Sequence, residues 1–230
     1  MTDQAQDVHA EPGIADQRRG QMLQAALDVI SERGFADTRI ADIADRIGIS
    51  PALVIYYFKT KDQLLTEAIR HYEDTWYAEG KRRMDRLGTA AERLEEFVAM
   101  NLLPDRDPER ESANWKTLWL DFWTQAARNA DVAGVRQKSD ERWRAVIVSL
   151  VAGGQEAGEF ADLDPHPFSI FVNALLDGLT VQIALDDPVV DPVSAYELCM
   201  LYIADRLGFQ WTPSDREQDV AAVARAGAGR

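Results

Sequence analysis

The sequence predicts an all-α protein of about nine helices: a small three-helix head at the N-terminus, then a larger helical body. Three observations carry this. Apolar residues recur at three- and four-residue spacing in segment after segment. Helix-breaking stretches such as Leu87-Gly88-Thr89, Leu103-Pro104 and Asp186-Asp187-Pro188 separate those segments. Residues 38–62 read as a helix, a tight turn and a second helix.

In that stretch Ile40, Ile43, Ala44 and Ile47 form a helical stripe that stops at Gly48. Glycine takes the left-handed conformation that ends a helix. Ser50 follows as an N-cap, and Pro51 occupies the first helical position, where its missing N–H costs nothing. Leu53, Val54 and Phe58 give the second helix an apolar side, and Tyr56 and Tyr57 place hydroxyls at its far end. A short capped helix held crosswise by a glycine turn is what a helix-turn-helix needs to offer a recognition helix to the DNA major groove.

The flanks extend the pattern. Upstream, Leu23, Ala26, Leu27 and Ile30 form the face of a helix closed by Gly34. Downstream, Thr60 caps a long helix from Lys61 to about Arg86, with Leu64, Leu65, Ala68, Ile69, Tyr72 and Trp76 on its apolar side. The basic cluster Lys81-Arg82-Arg83 with Arg86 lies about 30 Å along that helix and reads as a solvated face. Ala91, Leu94, Phe97, Val98 and Leu102 build the next helix, and a charged loop follows from Asp105 to Glu111.

Trp115, Trp119 and Trp123 then fall at i, i+4 and i+8, within a sector of about 80°, with Phe122 between them. They predict one aromatic ridge, which Trp143 of the following helix and Trp76 of the long helix join. Such a ridge is either core or the wall of a ligand site. Tryptophan faces attract cations, quaternary ammonium groups above all. Asp121 on the same helix and Asp177 on a later one, with Glu73 and Glu156, supply acid for a cationic effector. Near the end, Phe171, Ala174, Leu175, Gly178, Gln182 and Leu185 share one helical face, and Tyr196, Cys199, Met200, Ile203 and Leu207 share another.

The formal net charge of −14 argues against general affinity for nucleic acid or anionic membranes. Locally the balance differs: Arg39, Arg46, Lys59 and Lys61 face Asp42, Asp45 and Asp62, so the head is close to neutral. Helix N-termini at Ser50 and near Lys61 add positive potential for phosphates. DNA affinity is therefore expected to be modest and salt-dependent.

The single cysteine, Cys199, has no internal disulfide partner and reads as core. No secretory signal and no apolar run of about 18 residues is expected, which predicts a soluble cytoplasmic protein. His9, His71 and His166 are scattered, and no Glu-x-x-His, His-x-x-x-His or Cys-x-x-Cys spacing occurs. No phosphate-cradling loop or nucleophile elbow is present either, so no catalytic set, metal site or cofactor is expected.

The ordered set Gly34-Phe35, Thr38, Ile43-Ala44, Gly48-Ile49-Ser50, Tyr56-Tyr57-Phe58, Lys59, Lys61 and Leu64 resembles the TetR family of transcriptional regulators. The resemblance implies a DNA-binding head, a ligand-binding and dimerising body, and repression relieved by a small molecule. By position it places Thr38 and Arg39 at a backbone phosphate. It sets Ser50, Pro51, Ala52 and Leu53 where base edges are read, and Tyr56, Tyr57 and Lys61 on phosphates. One departure is Ile55, where many members carry tyrosine. Ala52 and Leu53 can touch thymine methyl groups but donate no hydrogen bonds, so direct readout looks thin beside phosphate positioning and DNA shape.

Trp119, Phe122-Trp123, Ala126-Ala127-Arg128, Arg142-Trp143-Arg144, Gly154, Glu156, Gly158-Glu159-Phe160, Asp177-Gly178-Leu179 and Gln182 are similar to the body of the BetI-type branch. That branch is associated with choline, polyamines and other small molecules; a neutral hydrophobic effector stays open beside a cationic one, as does a small-molecule-binding helical protein without operator binding. The organisation expected is an arm over 1–13, a helix-turn-helix domain over 14–60, a body over 61–211 and a loose tail over 212–230. The partners expected are a double-stranded operator, a small-molecule effector and a second copy of the chain. That copy would pack through the helices at about 167–186 and 192–208, setting two heads on a palindrome.

Overall fold

The structure, a computed structural model, describes residues 13–104 and 115–212, and the arm, the 105–114 loop and nearly all of the tail lie outside the described residues. The fold is all-α. The described residues form α1 (Ile14–Asp37), α2 (Ile40–Arg46), α3 (Pro51–Phe58), α4 (Lys61–Met84), α5 (Ala90–Leu102), α6 (Trp115–Ala126), α7 (Ala130–Glu156), α8 (Pro165–Ala184) and α9 (Pro192–Leu207).

They divide into two compact units, one ending at His71 and the other starting at Tyr72. The division falls inside α4 rather than at residue 60, because the first turns of α4 complete the head's core. Leu64, Leu65, Ala68 and Ile69 are all buried there, Glu67 pairs with Arg19 of α1, and the Lys61 ammonium donates to the Ala36 carbonyl at 3.1 Å.

Within the head, Gly34 interrupts α1 with φ 79° and ψ 158°, turning the chain toward α2. Gly48 takes φ 67°, and the Ile49 N–H reaches back to the Ala44 carbonyl at 3.0 Å, so the turn between α2 and α3 closes as the glycine requires. The Ser50 hydroxyl accepts from the Leu53 N–H at 3.3 Å, and the Thr60 hydroxyl accepts from the Gln63 N–H at 3.0 Å. Between these two caps Lys59 ends α3 with φ 54°, and its N–H donates to the Ile55 carbonyl at 2.8 Å. Val54 and Phe58 are buried, and Leu53 is half-buried.

In the body, Thr89 and Glu92 form a reciprocal cap on α5, with N–H to oxygen distances of 3.1 and 3.0 Å. The Glu159 carboxylate accepts from the Ala90 and Ala91 N–H groups at 2.7 and 3.1 Å. Its charge sits on the positive end of the α5 dipole and ties the end of α7 to the start of α5. Asn129, Asp164 and Asp191 cap α7, α8 and α9, the last two followed by proline at the first helical position.

The two C-terminal helices differ in how their apolar faces are used. Tyr196, Cys199, Met200, Ile203 and Leu207 of α9 are at most 2% exposed, so that stripe is the body's own core and not an outer face. Outward from α9 point Leu198 and Leu201, more than half exposed, while from α8 come Ile170 and Phe171, whose ring stacks on Tyr202 at 4.7 Å. Because α8 is apolar on both sides, it is long and apolar enough by composition to cross a membrane, which corrects the expectation that no such run exists. Composition alone does not separate such a span from a helix with one buried and one outer apolar face.

Two adjacent glycines near the end of α7 offer a test of this packing. A Cβ added at Gly154 would stand 2.1 Å from the Phe160 ring, while one added at Gly153 would meet nothing within 4 Å. Gly154→Ala is expected to destabilise the fold by about 1–3 kcal/mol through overpacking. Gly153→Ala is expected to stabilise it by up to about 1 kcal/mol through helix propensity. Urea denaturation of the two variants against the parent checks the opposite signs.

Candidate nucleic-acid interface and ligand cavity

On the head, Ser50, Pro51, Ala52, Ile55, Tyr56 and Lys59 are exposed along α3 and its ends. Tyr56 is 76% exposed, and Tyr57 is half-buried with its ring edge-on to Tyr56 at 5.6 Å. Arg39 is exposed at the start of α2, where its N–H donates to the Asp42 carboxylate at 2.8 Å. Two of the expected contacts are placed otherwise. Thr38 is only 2% exposed and its hydroxyl donates to the Gly34 carbonyl at 2.8 Å, so that hydroxyl holds the α1–α2 turn instead of facing outward. The Lys61 ammonium stands over the Phe35 ring at 4.4 Å and bonds Ala36, which turns it back onto the head itself. Leu53 is half-buried, while Ile55 is exposed.

The positive charge of the head is partly cancelled where it stands. Arg46 is bidentate on Glu32, at 2.6 and 3.0 Å, and Arg33 meets Asp42 at 3.2 Å. Arg39 and Lys59 remain exposed beside α3. This arrangement favours contact by hydroxyls, backbone N–H groups at the α3 N-terminus and a few cations over a broad basic patch.

In the body lies a cavity of about 570 Å³, part of it open to solvent. Tyr72 and Trp76 of α4, Met100 and Asn101 of α5, Trp119 and Trp123 of α6 and Trp143 of α7 form much of its wall. Asp140 of α7 and Leu176, Asn173, Asp177 and Thr180 of α8 complete it. The structure thus brings together Trp76, Trp119, Trp123, Trp143 and Asp177 of the residues expected there. Phe122 is corrected: it is fully buried behind Trp119, ring centroids 5.6 Å apart, because a three-residue step turns it off the tryptophan face. Asp121 is not on the wall, and the Trp115 side chain lies outside the described residues.

The aromatic wall is rigidly built. Trp76 and Trp143 pack with ring centroids 4.3 Å apart, and Phe97 meets each of them at 5.7 Å. Behind them Glu73 is only 4% exposed, and its carboxylate accepts from the Ser139 hydroxyl and, at 3.3 Å, from the Trp143 indole N–H. Burial raises the Glu73 carboxyl above its ordinary range, and the two donors oppose that rise. Arg142 lies over the Tyr77 ring at 3.9 Å and pairs with Asp74 at 2.6 Å, closing the outer side of the cluster.

The polar end of the cavity carries two carboxylates of unequal standing. Asp140 pairs with Arg136 at 2.9 Å. Asp177 accepts from the Asn173 amide at 3.2 Å, and its carboxyl is pushed up to about 6 by burial and by Asp140, against Arg136 and Arg144. A cation set beside Asp177 and between tryptophan faces replaces water with an opposite charge and aromatic quadrupoles. Sequence reasoning missed Asp140, Asn173, Leu176, Thr180, Met100, Asn101 and Tyr72. A signal existed for some of them: Asn173, Asp177 and Thr180 fall at i, i+4 and i+7 on one face of α8, and Tyr72 precedes Trp76 by four.

The raised Asp177 carboxyl makes folding prefer the protonated form. Its stabilising contribution is complete below the unfolded value near 3.8 and is lost as pH climbs through about 6. Asp177→Asn is therefore expected to raise the melting temperature of the ligand-free protein more at pH 7.5 than at pH 5. Thermal unfolding at the two pH values checks it.

Known proteins share both halves of this architecture. Residues 22–68 match the family described as bacterial regulatory proteins, tetR family, and residues 90–208 match the BetI-type transcriptional repressor C-terminal family. The HTH-type transcriptional regulator BetI of Burkholderia ambifaria is 31% identical over 196 residues, covering 83% of this chain and 94% of its own. The Burkholderia cenocepacia protein of the same name is 30% identical over the same shares. A transcriptional regulator from Saccharomonospora viridis solved in complex with choline is similar with a TM-score of 0.72 and 27% identity, over 81% of this chain and 95% of that one. FadR of Bacillus subtilis, solved with stearoyl-CoA, shares the fold at a TM-score of 0.65 and 17% identity, over 80% of this chain and 96% of its own. With its glycine-turned head and tryptophan-walled helical body, the chain belongs to the TetR family of transcriptional regulators, with a body of the BetI type.

Proposed function

We propose that the protein is a homodimeric repressor that leaves a palindromic operator when a small organic cation of the quaternary ammonium class fills the body's cavity. The observation that carries this reading is a cavity with four tryptophans on its wall and an aspartate, Asp177, that is held by the Asn173 amide. The choline complex of the Saccharomonospora viridis protein supports it. An acyl-CoA, the ligand of the FadR neighbour, would set its phosphates beside Asp140 and Asp177, which the charge of this cavity disfavours.

The effector acts through α4, which contributes Tyr72 and Trp76 to the wall and is the helix that both units share. A ligand that binds one body conformation about 10⁴-fold better than another shifts the population from nearly all one state to nearly all the other. The dimer is formed by the outer faces of α8 and α9, where Ile170, Phe171, Leu198 and Leu201 are each half-exposed or more.

Isothermal titration with choline and with its uncharged isostere 3,3-dimethylbutan-1-ol tests the cation reading. Choline is expected to bind and the isostere to bind at least tenfold more weakly, with Trp119→Ala weakening choline by a similar factor. Equal binding of the two ligands overturns it. The interface is tested separately: Leu198→Glu with Leu201→Glu is expected to convert a dimer to a monomer in light scattering and to lower operator affinity at least tenfold.

A further inference from the structure

Between Pro51 and Phe58 the recognition helix carries no arginine, lysine, asparagine, glutamine or acidic side chain, the groups that pair with base edges through two hydrogen bonds. Its outward face is built on a different chemistry. Ala52, Ile55 and Lys59 follow one another at three- and four-residue spacing, with Tyr56 next to Ile55, and all four are exposed. Ile55 stands at the middle of that face, 51% exposed, while its neighbours Val54 and Phe58 are buried in the head and Leu53 is half-buried. Nothing in the head's own packing needs a branched apolar side chain at that position, and in water it costs free energy.

In the major groove one base alone presents an apolar group, the C5-methyl of thymine. A half-exposed isoleucine, with Ala52 one turn behind it, has a surface of the matching kind and no donor or acceptor to offer any other base. Around this strip stand polar groups of the kind that meet phosphates: the Ser50 cap, the Tyr56 hydroxyl, and the exposed Lys59 and Arg39. They orient the helix, and the apolar strip discriminates.

We infer that Ile55 is a specificity-determining residue that reads a thymine methyl in each half-site of the operator. This inference rests on the DNA-binding role of α3 and adds to it the base that is recognised and the force that recognises it. It puts Ile55 ahead of the half-buried Leu53 as the side chain that makes the apolar contact.

The test uses the full chain and a random duplex library. Sequences retained at low salt are selected, and each thymine of the winning duplex is replaced singly by deoxyuridine, which lacks only the C5-methyl. Binding of every duplex is measured by fluorescence anisotropy for the parent and for Ile55→Ala, an exposed position whose truncation empties no core. Loss of one buried methyl is expected to weaken the parent about fourfold at one or more thymines. Ile55→Ala is expected to bind the thymine and deoxyuridine versions of those duplexes alike.

Two results overturn the inference. Either the parent tolerates deoxyuridine at every position, or the penalty persists undiminished in Ile55→Ala, which would assign the contact to Ala52 or Leu53. A library from which no duplex is enriched has a separate meaning: it overturns the DNA-binding role itself, and the methyl contact with it.

Discussion

A carboxylate taken out of water has to be satisfied by the groups around it, and Glu73 meets that demand inside the body by holding Ser139 and the Trp143 indole. The aromatic wall follows from that bond. With its N–H committed, the Trp143 ring is fixed in the plane that lets Trp76 pack at 4.3 Å and Phe97 close from the side. Rings so large and so constrained do not interdigitate to native density with Trp119 and Trp123, and the cavity is the space left between them. A single buried acid on α4 thus governs the shape of that cavity.

Charge is distributed with the same economy across the chain. A net charge of −14 suits a protein that must not adhere to DNA at random. In the head, Glu32 and Asp42 occupy Arg46 and Arg33, so few cations are left to grip phosphate indiscriminately. In the body, Arg136 compensates Asp140 and leaves Asp177 as the carboxylate with charge to give. The head thus has much of its positive charge paired, and the body holds Asp177 on the cavity wall beside Asn173.

How much of this was legible in the chain depended on how local the cause was. The head could be read because Gly34, Gly48, Ser50, Pro51 and Thr60 act through their own backbone, within a few residues, and the structure uses each as its chemistry dictates. The roles of Thr38 and Lys61 could not, since a carbonyl at Gly34 or Ala36 is a partner only once the turn exists. In the body, Trp119 and Trp123 of the cavity's four tryptophans were legible from their spacing, whereas Asp140 and Asn101 enter the wall through the packing of α5 and α7 on α6 and α8. The apolar stripe on α9 was seen correctly but carries no address. Periodicity says that Tyr196, Cys199 and Met200 share a side, and only assembly decides that the side faces the chain's own core.

Lys59 closes the recognition helix in a backbone region with φ 54° that suits glycine better than a side-chain-bearing residue. Such a conformation costs on the order of 1–3 kcal/mol, and the fold retains it over a residue that would relax it. What lysine brings in exchange is a positive charge at the carbonyl end of α3, where the helix dipole attracts it. The joint that ends α3 is therefore under tension, and the side chain carried on that strained link is an exposed ammonium.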